Sequence, residues 1–279
     1  MSEVANHSVI KAEQSIRKEF HHSLYSRFLK GIKEFDMIKD GDRIAVCISG
    51  GKDSVLMAKL FQEMAYHCSI NFELRFLVMD PGYDKINRQQ VEHNLDLLGI
   101  DAHIFETDIF RLIDNMDVNP CFMCAKMRRG CLYRKAKDLG CNKIALGHHF
   151  DDVIVTTLMG MIYGGQMQTM MPKVKSANYD GMELIRPMYY VREDDISDWC
   201  RTNELEFIQC ACSMTKDKQA GDSKRQEIKM LIRELRDKNP QIEYNIYRSA
   251  HTVNLKNIIS YKDKSGLHHF MDDYDKQQF

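Results

Sequence analysis

Between residues 9 and 35, apolar side chains recur at Ile10, Ile16, Phe20, Leu24, Phe28 and Ile32, with Arg17, Lys18, Arg27, Lys30 and Lys33 among them. This spacing predicts an amphipathic helix ahead of the first strand. Downstream the period alternates. Compact apolar runs at 43–49, 73–80, 102–106 and 143–146 read as strands, and helical patterns at 55–67, 86–98, 124–139 and 151–163 separate or follow them. Such alternation predicts an α/β fold with a doubly wound, mostly parallel sheet and right-handed crossovers. After Gly164-Gly165 come a Met- and Lys-bearing loop, a short strand at 184–185, and helices at 194–203 and 222–238, the last stopped by Pro240. From Lys262 on, the chain is polar and aromatic with little periodicity, as in a mobile tail. Three regions follow: an N-terminal helical segment (1–39), a catalytic domain (40–210), and a C-terminal helical region with its tail (211–279).

The sharpest junction in the pattern is Ser49-Gly50-Gly51-Lys52-Asp53-Ser54, where a β-branched run stops and a helix begins at once. Successive backbone N–H groups at a helix N-terminus favour an anion, and the glycines permit positive φ and close approach of a phosphate. The spacing is not that of Walker A, because Val46 stands where its leading glycine belongs and Asp53 follows Lys52 where Ser or Thr is required. The turns after Ser49, Asp80 and Gly147 fall on one sheet edge, the carboxyl ends of the strands, where such sheets bind ligands. Gly147-His148-His149-Phe150-Asp151-Asp152 adds two imidazoles and two carboxylates there. Asp151 suits Mg²⁺ and His148 a phosphate contact. Helix capping by Asp151 and Asp152 is the structural alternative, and is compatible with both.

Composition narrows the class. No stretch approaches the roughly 20 apolar residues of a membrane span, and the N-terminus has no signal-peptide pattern, so a cytoplasmic protein with no membrane contact is expected. Nine cysteines, an odd number without an export signal, argue for reduced thiols and a metal over a disulfide framework. Cys121 and Cys124 form a CxxC, and Cys210 and Cys212 lie far downstream. Paired thiols suit either an iron-sulfur cluster or a closed Cys₄ zinc site. Cys131 lies two helical turns from Cys124 on the same face, while Cys47, Cys68, Cys141 and Cys200 read as small buried hydrophobes. Net charge is −1, so nucleic-acid binding depends on clustering rather than on total charge. Lys126, Arg128, Arg129, Arg134 and Lys135 follow the CxxC; Lys216, Lys218, Lys224, Arg225, Lys229, Arg233 and Arg236 follow the late cysteines. Each group is either a phosphate track or a solvated helix face.

Ser49-Gly50-Gly51-Lys52-Asp53-Ser54 resembles the SGGxDS loop of the PP-loop ATP pyrophosphatases, and GHHFDD resembles their GHxxDD segment. Together with PCFMCAKMRRGCLYR, YGGQMQTMMPKV and IRPMYYVRE, these resemble the tRNA 2-thiolation branch, and within it the 2-thiocytidine type. The extra zinc-finger cysteines of the T-loop 2-thiouridine enzymes are absent before Cys47 and after Cys212. The resemblance implies ATP bound by Ser49, Gly50, Gly51, Lys52, Asp53 and Ser54 with Asp80, Gly147 and His148, and catalysis by Lys52, Asp53, Asp151 and Arg128 with Mg²⁺. It further implies a [4Fe-4S] cluster held by Cys121, Cys124 and Cys210, with Cys212 as the alternative third ligand and one iron open to sulfide. The implied reaction adenylates an anticodon-loop cytidine at position 32 and replaces its C2 oxygen by sulfur. The implied partners are tRNA and a sulfur donor such as a cysteine desulfurase, and the N-terminal helix is compatible with a homodimer. Two departures stand out: the CAC spacing at Cys210–Cys212, and Val155 where relatives often carry glutamate. Two other readings remain open. One is another PP-loop enzyme, a 2-thiouridine synthase or an amidotransferase or ligase with structural zinc; the other is a non-enzymatic tRNA-binding iron-sulfur module.

Overall fold

The computed structural model describes residues 3–113, 120–208, 224–272 and 274. Six strands form one sheet in the order β3-β2-β1-β4-β6-β5: β1 (Arg43–Ile48), β2 (Glu73–Asp80), β3 (Ala102–Glu106), β4 (Lys143–Ala145), β5 (Lys173–Lys175) and β6 (Glu183–Ile185). All neighbours are parallel except β5, which runs antiparallel to β6. The doubly wound, mostly parallel sheet expected from the alternating pattern is therefore present. Its central strand is buried on both faces, and its side chains divide with a period of two. Ile44, Val46 and Ile48 enter one core with α3 (Lys52–His67), whereas Ala45 and Cys47 enter another with α6 (Pro120–Asp138). Thus α3 and α6 cover opposite faces of the sheet, and the loops at the strand ends lie between them.

The expected helix at 9–35 is interrupted. The chain forms α1 (Glu3–Arg17), a π-turn at His21–Tyr25 and α2 (Ser26–Glu34). Ile16, Phe20, Leu24, Phe28 and Ile32 repeat every fourth residue, and at about 100° per residue such a stripe drifts by about 40° per step. Across four steps it would leave the core. The π-turn, marked by the Tyr25 N–H donating to the Phe20 carbonyl, takes up an extra residue and keeps all five side chains buried. Arg17 clamps α1 to α3 by donating to both Glu63 oxygens at 2.6 and 2.9 Å. Phe28 packs edge-on to Phe61 of α3, with ring centroids 5.2 Å apart.

The remaining helices are α4 (Lys85–Leu97), α5 (Ile109–Ile113), α7 (Phe150–Gly164), α8 (Glu193–Thr202), α9 (Lys224–Lys238) and α10 (Ile242–His251). The pattern at 242–251 had not announced α10, because only Glu243 and Tyr247 are buried along it. With α7 and α9 it forms a third apolar cluster around Phe150, Val153, Tyr189, Ile228 and Tyr247. Val155 is buried in that cluster. The segment expected as a tail contains a hairpin, β7 (Ser260–Lys262) with β8 (Leu267–His269), whose side chains are largely exposed. No helix among the described residues is long and apolar enough to cross a membrane.

Because the N-terminal helices share the core of α3, Phe28→Ala is expected to cost about 3–5 kcal/mol in urea unfolding, the range for a buried phenylalanine. A cost below about 1 kcal/mol would mean that these helices add nothing to the core.

Candidate active site

The Ser49–Ser54 turn is closed by its own serines. The Ser49 amide donates to Ser54 Oγ at 3.0 Å, and the Ser54 hydroxyl donates to the Gly51 carbonyl at 2.9 Å. Gly50 sits at φ +79°, and a Cβ there would lie 2.6 Å from Val91 Cγ2 and 2.9 Å from Ile208 Cδ1. Only glycine meets both conditions without a shift. The Tyr83 hydroxyl donates to the Ser49 carbonyl at 2.9 Å. Asp80 accepts from the Gly82 and Tyr83 amides at 2.9 and 2.7 Å, and Arg88 takes its other oxygen at 2.7 Å. Burial pushes the Asp80 carboxyl up, but these donors outweigh it and hold it below its ordinary value. Asp80, expected to contact nucleotide, thus has both oxygens engaged, and it fastens the turn that carries Tyr83.

The second loop meets the first through Gly147. A Cβ on Gly147 would stand 3.0 Å from both Cα and N of Ser54, so the strand-end loop after β4 lies backbone to backbone against the start of α3. Two residues on, His149 is buried, its Nδ1 3.6 Å from Asp151 and its Nε2 3.6 Å from Asp152 and 3.9 Å from Asp53. Burial disfavours its charged form, but three carboxylates outweigh burial, and its pKa is raised. His149 thus lies at the centre of the carboxylates of the loop pair. Asp151 also accepts from the Glu193 amide at 2.7 Å, which anchors the start of α8. Burial opposes ionisation of Asp151, yet His149 and the Glu193 N–H hold its pKa down at about 2.

Lys52 Nζ lies 2.7 Å from Asp53 and 3.4 Å from Glu193, and these carboxylates overcome the burial that would lower its pKa. Lys229 holds the other Glu193 oxygen at 2.8 Å, and Arg225 pairs with Asp152. Arg236 bridges Glu243 and Asp194. Arg225, Lys229 and Arg236 of α9 thus brace the site from outside. Lys216 and Lys218 lie outside the described residues.

Above the strand ends is a cavity of about 320 Å³. Its walls are Ser49, Asp53 and Ser54 from the first loop, Gly147, His148 and Asp152 from the second, and Ala125, Arg128, Arg129 and Leu132 from α6. Ala125 follows Cys124 directly. Cys124 and Cys131 share one helix face, packed against Met79 and Ile109. The Cys121 side chain, Cys210 and Cys212 lie outside the described residues. The described stretch before the late cysteines ends at Ile208, which packs over Gly50 of the Ser49–Ser54 turn. Cys47, Cys141 and Cys200 are buried as expected, and burial pushes Cys47 and Cys200 up to about 12. Cys68 is half-buried against the main core.

A protein-family model described as the PP-loop domain matches residues 21–218. The chain is 32% identical over 254 residues to a tRNA-cytidine(32) 2-sulfurtransferase of Geotalea daltonii, covering 90% of this chain and 99% of that protein. It is 34% identical to one of Ralstonia pickettii, covering 82% and 72% respectively. This chain belongs to the PP-loop family, with the tRNA-cytidine(32) 2-sulfurtransferases. Among solved structures it is similar to the U34-tRNA thiolase NcsA from Methanococcus maripaludis with its [4Fe-4S] cluster, at TM-score 0.64 and 23% identity over 86% of this chain and 80% of that one. That likeness supports the PP-loop fold. Against this family background, the sequence did not announce Glu193 and Tyr83 as site residues, nor the pairings of Arg225 with Asp152 and of Lys229 with Glu193. Each acts through a contact distant in sequence, and no local pattern announces such a contact.

His149 supplies a pH test of the cluster. Its raised pKa contributes stability that is complete below the unfolded value of about 6.5 and is lost as pH rises through the folded value. His149→Gln should therefore destabilise the protein more at about pH 6 than at about pH 9 in urea titrations. Equal losses at both would contradict a charged His149.

Proposed function

We propose that this chain converts cytidine 32 of tRNA to 2-thiocytidine through an adenylated intermediate. The observation that carries the reading is a cavity walled jointly by the Ser49–Ser54 turn, the GHHFDD loop and the helix turn that follows the CxxC. In the proposed reaction the cytosine O2 attacks the ATP α-phosphorus, forming a P–O bond and releasing pyrophosphate. A poor leaving oxygen becomes part of AMP. Sulfide then forms the C2–S bond, and AMP departs with the original oxygen. The turn's N–H groups and Lys52 stabilise charge on the phosphates, and Arg128 on the opposite wall stabilises charge developing at the base.

The donor set fits the implied groups in part. Asp53 and Asp152 are the carboxylates on the cavity wall, and Asp53 fits Mg²⁺. Among the described residues no set of three or more His, Cys, Asp or Glu could hold a metal, so phosphate oxygens and water would supply most ligands of that ion. Asp151 acts by fixing His149 and α8. Thiolates at Cys121 and Cys124 within one helical turn suit a soft metal, and in the sequence Cys210 is two residues past Ile208, which packs over Gly50. When bound there, a [4Fe-4S] cluster with three thiolate ligands supplies an open iron able to carry sulfide.

The test is anaerobic purification with iron, sulfide and zinc quantitation on the wild type, Cys121→Ala, Cys210→Ala and Cys212→Ala. About four irons per chain, lost with the first two variants and kept with the third, is expected. One tightly held zinc, lost with any of these variants, would overturn the reading. On the same preparations, Arg128→Met should reduce tRNA-dependent pyrophosphate release by about 10²-fold or more.

A further inference from the structure

Arg186, one residue past β6, is 8% exposed. One terminal nitrogen donates to the Met171 carbonyl, but Nε has no partner. Among the described residues no carboxylate lies within ion-pair distance of it. Asp152, whose field reaches Arg186, is already held by Arg225. A buried guanidinium left this way is costly. A second guanidinium makes it worse: burial first and then Arg129 push the Arg186 pKa down to about 10. Arg129 itself is exposed on the cavity wall and has no ion-pair partner among the described residues. His148, on the same wall, offers no relief. Burial and Arg186 lower its pKa to about 4, and its buried Nδ1 is also without a partner. Arg129 and the unsatisfied His148 imidazole on the cavity wall, with the buried Arg186 behind them close enough for its charge to act on both, are an arrangement that an anion would complete.

Resting on the function proposed above, we propose that Arg129 and Arg186 form a phosphate subsite for a phosphodiester of the RNA substrate, separate from the turn that takes the ATP phosphates. The two sets of donors come from opposite faces of the sheet, with the turn leading into α3 and Arg129 on α6. ATP phosphates already have the turn's N–H groups and Lys52. Arg129 is five residues past Cys124, about 7.5 Å along α6, so a base held near the thiolate end of α6 has its own backbone within reach of Arg129. A backbone contact there positions the nucleotide without reading its base.

The test uses full-length holoprotein. Binding of a tRNA anticodon stem-loop is measured by fluorescence anisotropy at several salt concentrations, and binding of a non-hydrolysable ATP analogue by calorimetry. Arg129→Gln is expected to weaken stem-loop binding about 5- to 10-fold and to reduce the log–log salt slope by about 1, with the ATP analogue unaffected. Arg186→Met should do the same and Arg186→Lys should restore part of the affinity; if Arg186→Met does not fold, exposed Arg129 still decides the matter. Loss of ATP-analogue affinity with unchanged stem-loop binding would overturn the proposal and give the subsite to the nucleotide. Unchanged binding of both ligands would overturn it outright. A wild type that binds the ATP analogue but not the stem-loop would instead defeat the RNA reading itself.

Discussion

The approach of Gly147 to the first residues of α3 is the constraint on which the rest depends. With 3.0 Å between a would-be Cβ and the Ser54 backbone, no other residue could hold the two strand-end loops in register without moving one of them. This contact turns two separate sequence motifs into one surface. It places the N-terminus of α3, with its unsatisfied N–H groups, beside the imidazoles and carboxylates of the second loop. The parallel register of β1 with β4, in which Val46 faces Ala145, brings the loops to the same height.

Charge pairing then makes the arrangement rigid. His149 sits among Asp53, Asp151 and Asp152, and each carboxylate is also tied to something outside the loop. Asp151 holds the first turn of α8, Asp152 is held by Arg225 of α9, and Asp53 shares Lys52 with Glu193. Because most of these groups are buried, losing one partner leaves the others uncompensated, at several kcal/mol where burial is deep. The cavity wall carrying Arg128 and Arg129 has no such pairing among the described residues. One side of the site is tied together by ion pairs, and the other carries guanidinium groups without ion-pair partners among the described residues.

Strands β1, β2 and β3 were legible in the sequence because a buried parallel strand is a compact apolar run, a purely local pattern. The glycine turn at Ser49–Ser54 was legible for the same reason, as glycines stand between a strand and a helix. The π-turn at His21–Tyr25 was not, since the four-residue apolar repeat alone resembles an ordinary helix. Nor was α10, which buries only Glu243 and Tyr247 along its length. The contacts of Glu193 with Lys52 and Lys229, and the lack of a carboxylate partner for Arg186 among the described residues, arise only when distant segments meet. The basic residues of α9 were balanced between a phosphate track and a solvated face; the pairing of Arg225 and Lys229 with partners on α7 and α8 was not legible from either pattern.

The most direct measurement of the central claim is nucleoside analysis of tRNA after incubation with the anaerobically reconstituted protein, ATP, Mg²⁺ and sulfide. The account predicts ATP-dependent 2-thiocytidine in an anticodon-loop fragment, with one AMP and one pyrophosphate released per sulfur transferred. Formation of 2-thiouridine, or ATP cleavage without a thiolated base, would contradict it.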